Sequence, residues 1–298
     1  MENNFKSAFI GIVGSPNVGK STIVNYFIGR KIAIVSHKPQ TTRNRITGIL
    51  TKGNVQMVFL DTPGITEAKN KLGESMIKTA YESTRDVDAI LFVIDLKHGI
   101  GKRDLKILDR ISKAPEPLIV ALNKSDVVKK QDITKVIEVL RENNVDDNIF
   151  TISAMTGEGM DELLTVLKSF LTDGPMYYPR NITSDQPEKT VVAEIIREKA
   201  LLLLNEEVPH GIGVGVMKLS HREEKEIVDI EANIYCERDS HKGIVIGKGA
   251  SMLKRIGTDA RKDLESLFRK KVFLRLMVSV KPDWRDTNRG LQDLGYKE

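Results

Sequence analysis

The chain has 298 residues, a formal charge of +5 and a pI near 9.0, so two domains are expected and an anionic partner is permitted. Its one cysteine, Cys236, excludes an internal disulfide framework and fits a reducing compartment. Residues 1–6 lack the regions of a signal peptide and no apolar stretch is long enough to span a bilayer, which together predict a soluble cytoplasmic protein.

The apolar run 8–13 reads as a buried parallel strand, and 23–28 begins a helical pattern. Between them lies Gly14-Ser15-Pro16-Asn17-Val18-Gly19-Lys20-Ser21-Thr22, a G-x-x-x-x-G-K-[ST] motif. Strand, glycine-rich turn and helix are the context in which that motif cradles phosphate. The glycines let backbone N–H groups turn inward, and the helix N-terminus adds partial positive charge. Asn17, Val18, Gly19, Lys20, Ser21 and Thr22 are candidate nucleotide contacts. Lys20 would reach the β- and γ-phosphates, and the Ser21 hydroxyl would ligate Mg²⁺.

A polar loop, 37–45, follows, where a nucleotide switch should contribute a threonine to Mg²⁺; Thr42 is the first candidate and Thr41 the second. Runs 46–51 and 55–60 read as strands joined by a short hairpin turn at 52–54. The second ends in Asp61-Thr62-Pro63-Gly64. An acid there can hold Mg²⁺, often through water, and the Gly64 N–H can meet a γ-phosphate and sense its loss.

Helices are expected at 73–84, 102–111 and 132–143, with buried strands at 89–94, 117–122 and 148–152. The strand at 117–122 delivers Asn123-Lys124-Ser125-Asp126. Asp126 can accept two hydrogen bonds from the N1–H and exocyclic amine of guanine. Adenine would leave it unpaired, a large discrimination. The Lys124 stem can cover the base, and Asn123 can tie this loop to the first. Backbone N–H groups of Ser153, Ala154 and Met155 can reach the guanine O6, and the closing helix starts near 159. Alternating strands and helices predict an α/β three-layer domain with a mostly parallel sheet, its ligand at the carboxyl ends of the strands.

Prolines and a glycine at 172–179 mark a boundary. The predicted division is 1–172 for a nucleotide domain, 173–188 for a linker and 189–298 for a second domain. In the latter, a helix (188–204) precedes strands at 211–219 and 227–236, a helix at 251–268 and a strand at 272–280. The alternation in 227–236 suits an antiparallel sheet with one solvated face. Before the 251–268 helix stands Gly247-Lys248-Gly249-Ala250, which suggests the backbone-clamping loop of an RNA-binding KH domain; Ala250 replaces the usual closing glycine. From Lys242 to Arg275 there are ten basic residues against three acids. Lys254, Arg255 and Arg261 would add phosphate attraction. His210, His221 and His241 lack metal-ligand spacing and read as surface residues, while Cys236 reads as a small core residue.

With these motifs and Gln40-Thr41-Thr42-Arg43, the chain resembles the bacterial Era GTPases over nearly its full length. The resemblance implies a Ras-like GTPase domain followed by an α+β type II KH domain. It further implies binding to the 3′ end of small-subunit (16S) ribosomal RNA, help in 30S subunit assembly, GTP and GDP as ligands, and Mg²⁺ as cofactor. A monomer when free and peripheral association with the inner face of the cell membrane are also implied. Lys20, Asn17, Thr42 and Gly64 are the expected catalytic set. Ile65 follows Gly64, where Ras has a water-positioning glutamine. Asn17 matches the P-loop asparagine of GTPases that use K⁺, which makes K⁺ a candidate activating ion. One rival class is a signalling or membrane-trafficking GTPase, which would bind anionic lipid without RNA selectivity; another is a constitutive RNA-binding protein whose GTPase domain is a structural relic, which the intact motifs argue against.

Overall fold

The computed structural model describes residues 5–36, 38, 41–222 and 225–296. Residues 1–4 of the N-terminal stretch and His37, Pro39 and Gln40 of the polar loop lie outside the described residues. The chain forms two compact units: Met1–Ala33 with Thr42–Glu67 and Met76–Asp185, and Ile34–Thr41 with Ala68–Ser75 and Gln186–Glu298. Neither unit is contiguous, unlike the division at 172 and 189 read from the sequence. Two short segments of the N-terminal half belong to the second unit, and most of the expected linker belongs to the first. The reason lies in hydrogen bonds: Ile49 N–H donates to Thr183 C=O, and Tyr178 N–H to Gln56 Oε1.

In the first unit the strands are β1 (Lys6–Gly14), β2 (Ile46–Lys52), β3 (Val55–Asp61), β4 (Ala89–Asp95), β5 (Leu118–Asn123) and β6 (Ile149–Ile152). They lie in the order β2-β3-β1-β4-β5-β6, and only the β2–β3 pair of that path is antiparallel. A two-residue strand, β7 (Thr172–Asp173), pairs antiparallel with the start of β1. The helices are α1 (Lys20–Ile28), α2 (Lys71–Glu82, whose first residues belong to the second unit), α3 (Lys102–Ile111), α4 (Lys130–Glu142) and α5 (Met160–Lys168).

Side chains alternate across a strand, so β4 feeds two cores. Ala89, Leu91 and Val93 pack with Ile23 and Phe27 of α1 and Leu163 and Leu167 of α5. Ile90, Phe92 and Ile94 pack with Ala80 of α2, Ile107 and Ile111 of α3 and Leu140 of α4. Both faces are covered, which is why β4 reads as a continuous apolar run. The expected three-layer α/β architecture is present, with functional loops at the carboxyl ends of its parallel strands.

The second unit contains α6 (Glu188–Leu203), β8 (Gly213–Arg222), β9 (Ile227–Cys236), α7 (Asp239–Ile246), α8 (Ser251–Phe268), β10 (Lys271–Val280) and α9 (Asn288–Asp293). Its sheet runs β10-β9-β8. It is mixed rather than antiparallel: β8 opposes β9, but β9 and β10 run parallel. The α7–α8 pair supplies the crossover that a parallel connection requires. Ile230, Ala232, Ile234 and Cys236 point to a core with Ile196 and Ala200 of α6 and Ile256, Ala260 and Leu264 of α8. His241, expected at the surface, is instead buried near the start of α7. Trp284 is fully buried, donates Nε1–H to Gly211 C=O at 3.0 Å and stacks on Tyr296. No described helix is long and apolar enough to cross a membrane.

The turn between α7 and α8 is left-handed at Gly247 (φ 72°), Gly249 (φ 59°) and also Ala250 (φ 61°). A Cβ in this region costs about 1–2 kcal/mol, while an added glycine loses about 0.4–1 kcal/mol through unfolded-chain entropy. Ala250→Gly should therefore stabilise the second unit by about 0.5–1 kcal/mol. Native-state hydrogen exchange at the β9 amides measures this, and a loss of protection would contradict it.

Candidate functional site

The turn between β1 and α1 is built for close backbone approach. Gly19 has φ 104°, and a Cβ there would lie 2.1 Å from Asn123 Nδ2. Lys20 is buried at the first turn of α1, and its ammonium donates to Gly14 C=O (3.1 Å) and Ser15 C=O (2.9 Å). The Ser15 hydroxyl donates to Asp104 Oδ1 at 2.6 Å, so α3 braces the turn. Burial pulls the Lys20 ammonium down to about 8, against the opposing attraction of Asp61 and Asp104.

Asp61 ends β3 and is fully buried. Its Oδ2 accepts the Ser21 hydroxyl at 2.6 Å. Ser21 Oγ lies 2.9 Å from Thr42 Oγ1; because the Ser21 proton goes to Asp61, Thr42 is the donor in that bond. Thr41 turns elsewhere, its hydroxyl donating to Lys38 C=O at 2.7 Å. The geometry therefore favours Thr42 over Thr41. Two hydroxyls and one carboxylate form a hard oxygen set suited to Mg²⁺, which keeps waters and takes phosphate oxygens beside one or two carboxylates. Asp61 Oδ1 is buried without a hydrogen-bond partner among the described residues, an orphaned acceptor that a cation would satisfy. Burial also pushes the Asp61 carboxyl up to about 6, offset in part by Lys20 and the Ser21 bond. A nearby cation would favour its ionised form further.

The loop after Asp61 lies against the first turn. A Cβ on Gly64 would meet the Pro16 backbone at 2.5 Å, so only glycine fits. Ile65 N–H donates to Gly14 C=O at 3.1 Å, and its side chain is buried in the β3–α3 core. It is a packing residue.

The loop after β5 is tied as expected. Asn123 Nδ2 donates to Val18 C=O at 2.7 Å, and its Oδ1 accepts Ala154 N–H at 3.0 Å. Lys124 Nζ donates to Asn17 C=O at 2.8 Å and to Asp95 Oδ2 at 2.7 Å. Asn17 and Lys124 are both left-handed (φ 64° and 71°). Asp126 is exposed in a short turn beyond Lys124. Ser153 N–H donates to Glu158 C=O, and its hydroxyl accepts Thr156 N–H. The N–H groups of Ser153 and Ala154, expected from the sequence to reach a guanine O6, are instead engaged within the protein, by Glu158 C=O and Asn123 Oδ1, while Met155 is 80% exposed.

Sequence reasoning missed Asp95, Asp104 and Glu158. Asp95 carried a usable signal, since it is an acid closing an apolar parallel strand, as Asp61 is. Glu158 accepts the Ser125 hydroxyl at 3.1 Å, joining the loop after β5 to the loop after β6.

In the second unit, Lys248 and Gly249 are exposed in the turn Lys248–Ala250, and Lys254, Arg255 and Arg261 are exposed on α8. The turn and the helix thus present backbone and positive charge to solvent, as phosphate attraction needs.

A family model described as a 50S ribosome-binding GTPase matches residues 9–124, and a KH domain model matches residues 207–285. A GTPase Era from Caldicellulosiruptor saccharolyticus is 49% identical, with 98% of each chain covered. A GTPase Era from Clostridioides difficile is 47% identical, with 99% of each covered. Among solved structures, an Era in complex with MgGDPNP and nucleotides 1506–1542 of 16S ribosomal RNA superposes with a TM-score of 0.94 at 37% identity, covering 99% of this chain and 100% of the other. An Aquifex aeolicus Era variant bound to GDP·AlF4⁻ gives the same TM-score of 0.94 at 36% identity and the same coverage, 99% and 100%.

Asn123 is the hinge-pin of the site. Asn123→Ala strands Val18 C=O and Ala154 N–H, each worth about 1–3 kcal/mol when buried and unpaired. The variant should lose about 2 kcal/mol or more of first-unit stability, with guanine-nucleotide affinity falling alongside. Unchanged thermal unfolding and nucleotide affinity would contradict the tie.

Proposed function

The chain belongs to the Era family of GTPases, and from that membership we propose that it is a GTP-dependent switch that binds the 3′ end of 16S ribosomal RNA and assists 30S subunit assembly. One observation carries the reading. A guanine-type loop tied to a phosphate loop in the first unit shares its chain with an exposed, basic KH loop and helix in the second. A similar protein co-crystallised with MgGDPNP and 16S nucleotides supports the ligand classes. Against the rival reading, a trafficking GTPase with a lipid-binding second domain, stand the KH family match at residues 207–285 and the RNA bound to the similar protein.

Each residue has a role in this reading. Backbone groups from Asn17 to Thr22 cradle the phosphates, and Lys20 exchanges its bonds to Gly14 and Ser15 for phosphate oxygens. Ser21, Thr42 and Asp61 would hold Mg²⁺, which neutralises charge on the β- and γ-phosphates when bound. Gly64 N–H reads the γ-phosphate. Asp126 reads the guanine edge, Lys124 covers the base, and Ser153, Ala154 and Met155 border O6. In the second unit, 247–250 approach the RNA backbone, with Lys254, Arg255 and Arg261 supplying charge. The cell interior is the natural place for such partners; peripheral association with the membrane's inner face and a monomeric free state complete the proposal.

Ile65 is packed away, so this chain does not place an attacking water with the residue after Gly64. K⁺ is proposed to supply transition-state charge instead, supported from Asn17. Turnover should be several-fold faster in K⁺ than in Na⁺ at matched ionic strength, and Asn17→Ala should remove the difference. Equal wild-type rates in the two salts would reject the ion.

Gly247 and Gly249 replaced together by aspartate would put bulk and negative charge where the RNA backbone must approach. That variant should lose affinity for the 3′-terminal 16S sequence by at least about tenfold while keeping guanine-nucleotide binding. Full RNA binding, relative to a scrambled control on the same preparation, would reject the KH reading.

A further inference from the structure

Helix α6 buries two adjacent charged residues, Arg197 and Glu198, at 0% and 2% exposure. Such side chains leave water only where partners meet them. Part of that partnership comes from the segment Ile34–Thr41, which belongs to the same compact unit as α6. Glu198 Oε1 accepts the Val35 N–H at 2.9 Å. The Arg197 guanidinium donates to Thr41 C=O and, through Nε, to Glu194 Oε1 at 2.8 Å. The other carboxylate oxygen of Glu198 accepts Lys199 Nζ at 2.9 Å, and the same ammonium reaches Asp263 Oδ2 at 2.5 Å. Asp263 lies on α8, the helix that carries Lys254, Arg255 and Arg261. A charged chain therefore runs from the Val35 backbone through Glu198 and Lys199 to α8. At the other end of the segment, Thr41 is bonded directly to Thr42, whose hydroxyl meets Ser21.

We propose that Arg197, Glu198, Lys199 and Asp263 form a charged seat for the segment leading into Thr42, and that this seat carries nucleotide state to the RNA-binding helix α8. The proposal rests on the GTP-dependent RNA binding inferred above. It adds the residues that do the coupling, all acting as positioning residues.

The chemistry of the seat suits a switch. An apolar seat would hold the segment in either nucleotide state, because leaving it exposes apolar surface. A charged one gains hydration when vacated, and this offsets the lost hydrogen bonds. Seated and released states then differ by little, and differential contacts to Thr42 can tip them. Docking of Thr42 beside Ser21 and Asp61 coexists with the seat in this structure. GTP with Mg²⁺, by holding Thr42, thus favours the seated segment. Release of Thr42 after hydrolysis removes Val35 from Glu198, and Lys199 redistributes between Glu198 and Asp263. Linkage makes the effect reciprocal, so RNA on α8 favours the seated segment and GTP.

The test uses the full chain and an RNA oligonucleotide of the 16S 3′-terminal sequence, at fixed salt. The measured quantity is the ratio of RNA affinity with MgGDPNP to that with GDP. Wild type should give a ratio of about 10 or more, within the usual range of allosteric couplings. Glu198→Gln keeps an oxygen for Val35 but loses the ion pair with Lys199. Asp263→Asn acts at the far end, on a side chain 31% exposed, so its folding is secure even if the buried variant's is not. Each should bring the ratio to about 2–3, and the double variant should go no lower than the singles, since all break one chain. The charge removed from α8 by Asp263→Asn strengthens RNA binding in both nucleotide states alike and cancels in the ratio. GDPNP affinity without RNA should stay unchanged in Asp263→Asn. A wild-type ratio retained in both single variants would overturn the seat while leaving GTP-dependent RNA binding intact. A ratio near one in wild type would overturn that underlying reading and the seat with it.

Discussion

Lys20 and Asp61 face each other electrostatically in a site where both are buried, and burial pushes each toward its neutral form. Neither charge compensates the other fully. Lys20 leans on the carbonyls of Gly14 and Ser15, and Asp61 keeps one buried oxygen without a partner among the described residues. A ligand that brings several negative oxygens to the lysine and a small hard cation to the carboxylate repairs both deficits at once. The parallel sheet places β1 and β3 side by side, so that the turn after one and the acid ending the other meet at one edge.

The same logic of borrowed partners recurs outward from the phosphate turn. Asn123 and Lys124 bond to the backbone of Val18 and Asn17, so the loop after β5 and the turn between β1 and α1 are fixed to one another. Asp95 holds Lys124 from behind, and Asp104 holds Ser15. In the second unit, Arg197 and Glu198 are charges whose burial depends in part on a backbone segment that leads to Thr42. Two buried charges thus draw part of their hydrogen bonding from the backbone of Val35 and Thr41 rather than from side chains of their own helix.

The nucleotide motifs were legible in the sequence because each is short and contiguous. Phosphate and base geometry dictate spacing within a single turn, so Gly14 to Thr22, 61–64 and 123–126 declare themselves. The three-layer architecture was equally legible, through uninterrupted apolar strands such as β4. What stayed hidden depends on partners far apart in sequence. Glu198 meets Val35 across 163 positions, and Ser15 meets Asp104 across 89, with no local pattern to mark either. Helix α7 was obscured by its short length and the interior Gly243, and the mixed sheet by β9, whose alternation fits a parallel partner on one side as well as an antiparallel one on the other. The compact units fail to follow the chain because Ile34–Thr41 lies close to elements far away in sequence, with Val35 bonded to Glu198.

In the function proposed for this chain, its guanine-nucleotide site and its KH surface serve one ribosomal RNA target. Crosslinking the GDPNP-loaded protein in total cellular RNA, then sequencing the attached fragments, tests it most directly. Reads should concentrate at the 3′ end of 16S ribosomal RNA, with the protein side of the crosslinks in 247–250 and α8. Reads scattered across cellular RNA without enrichment at that end would contradict it.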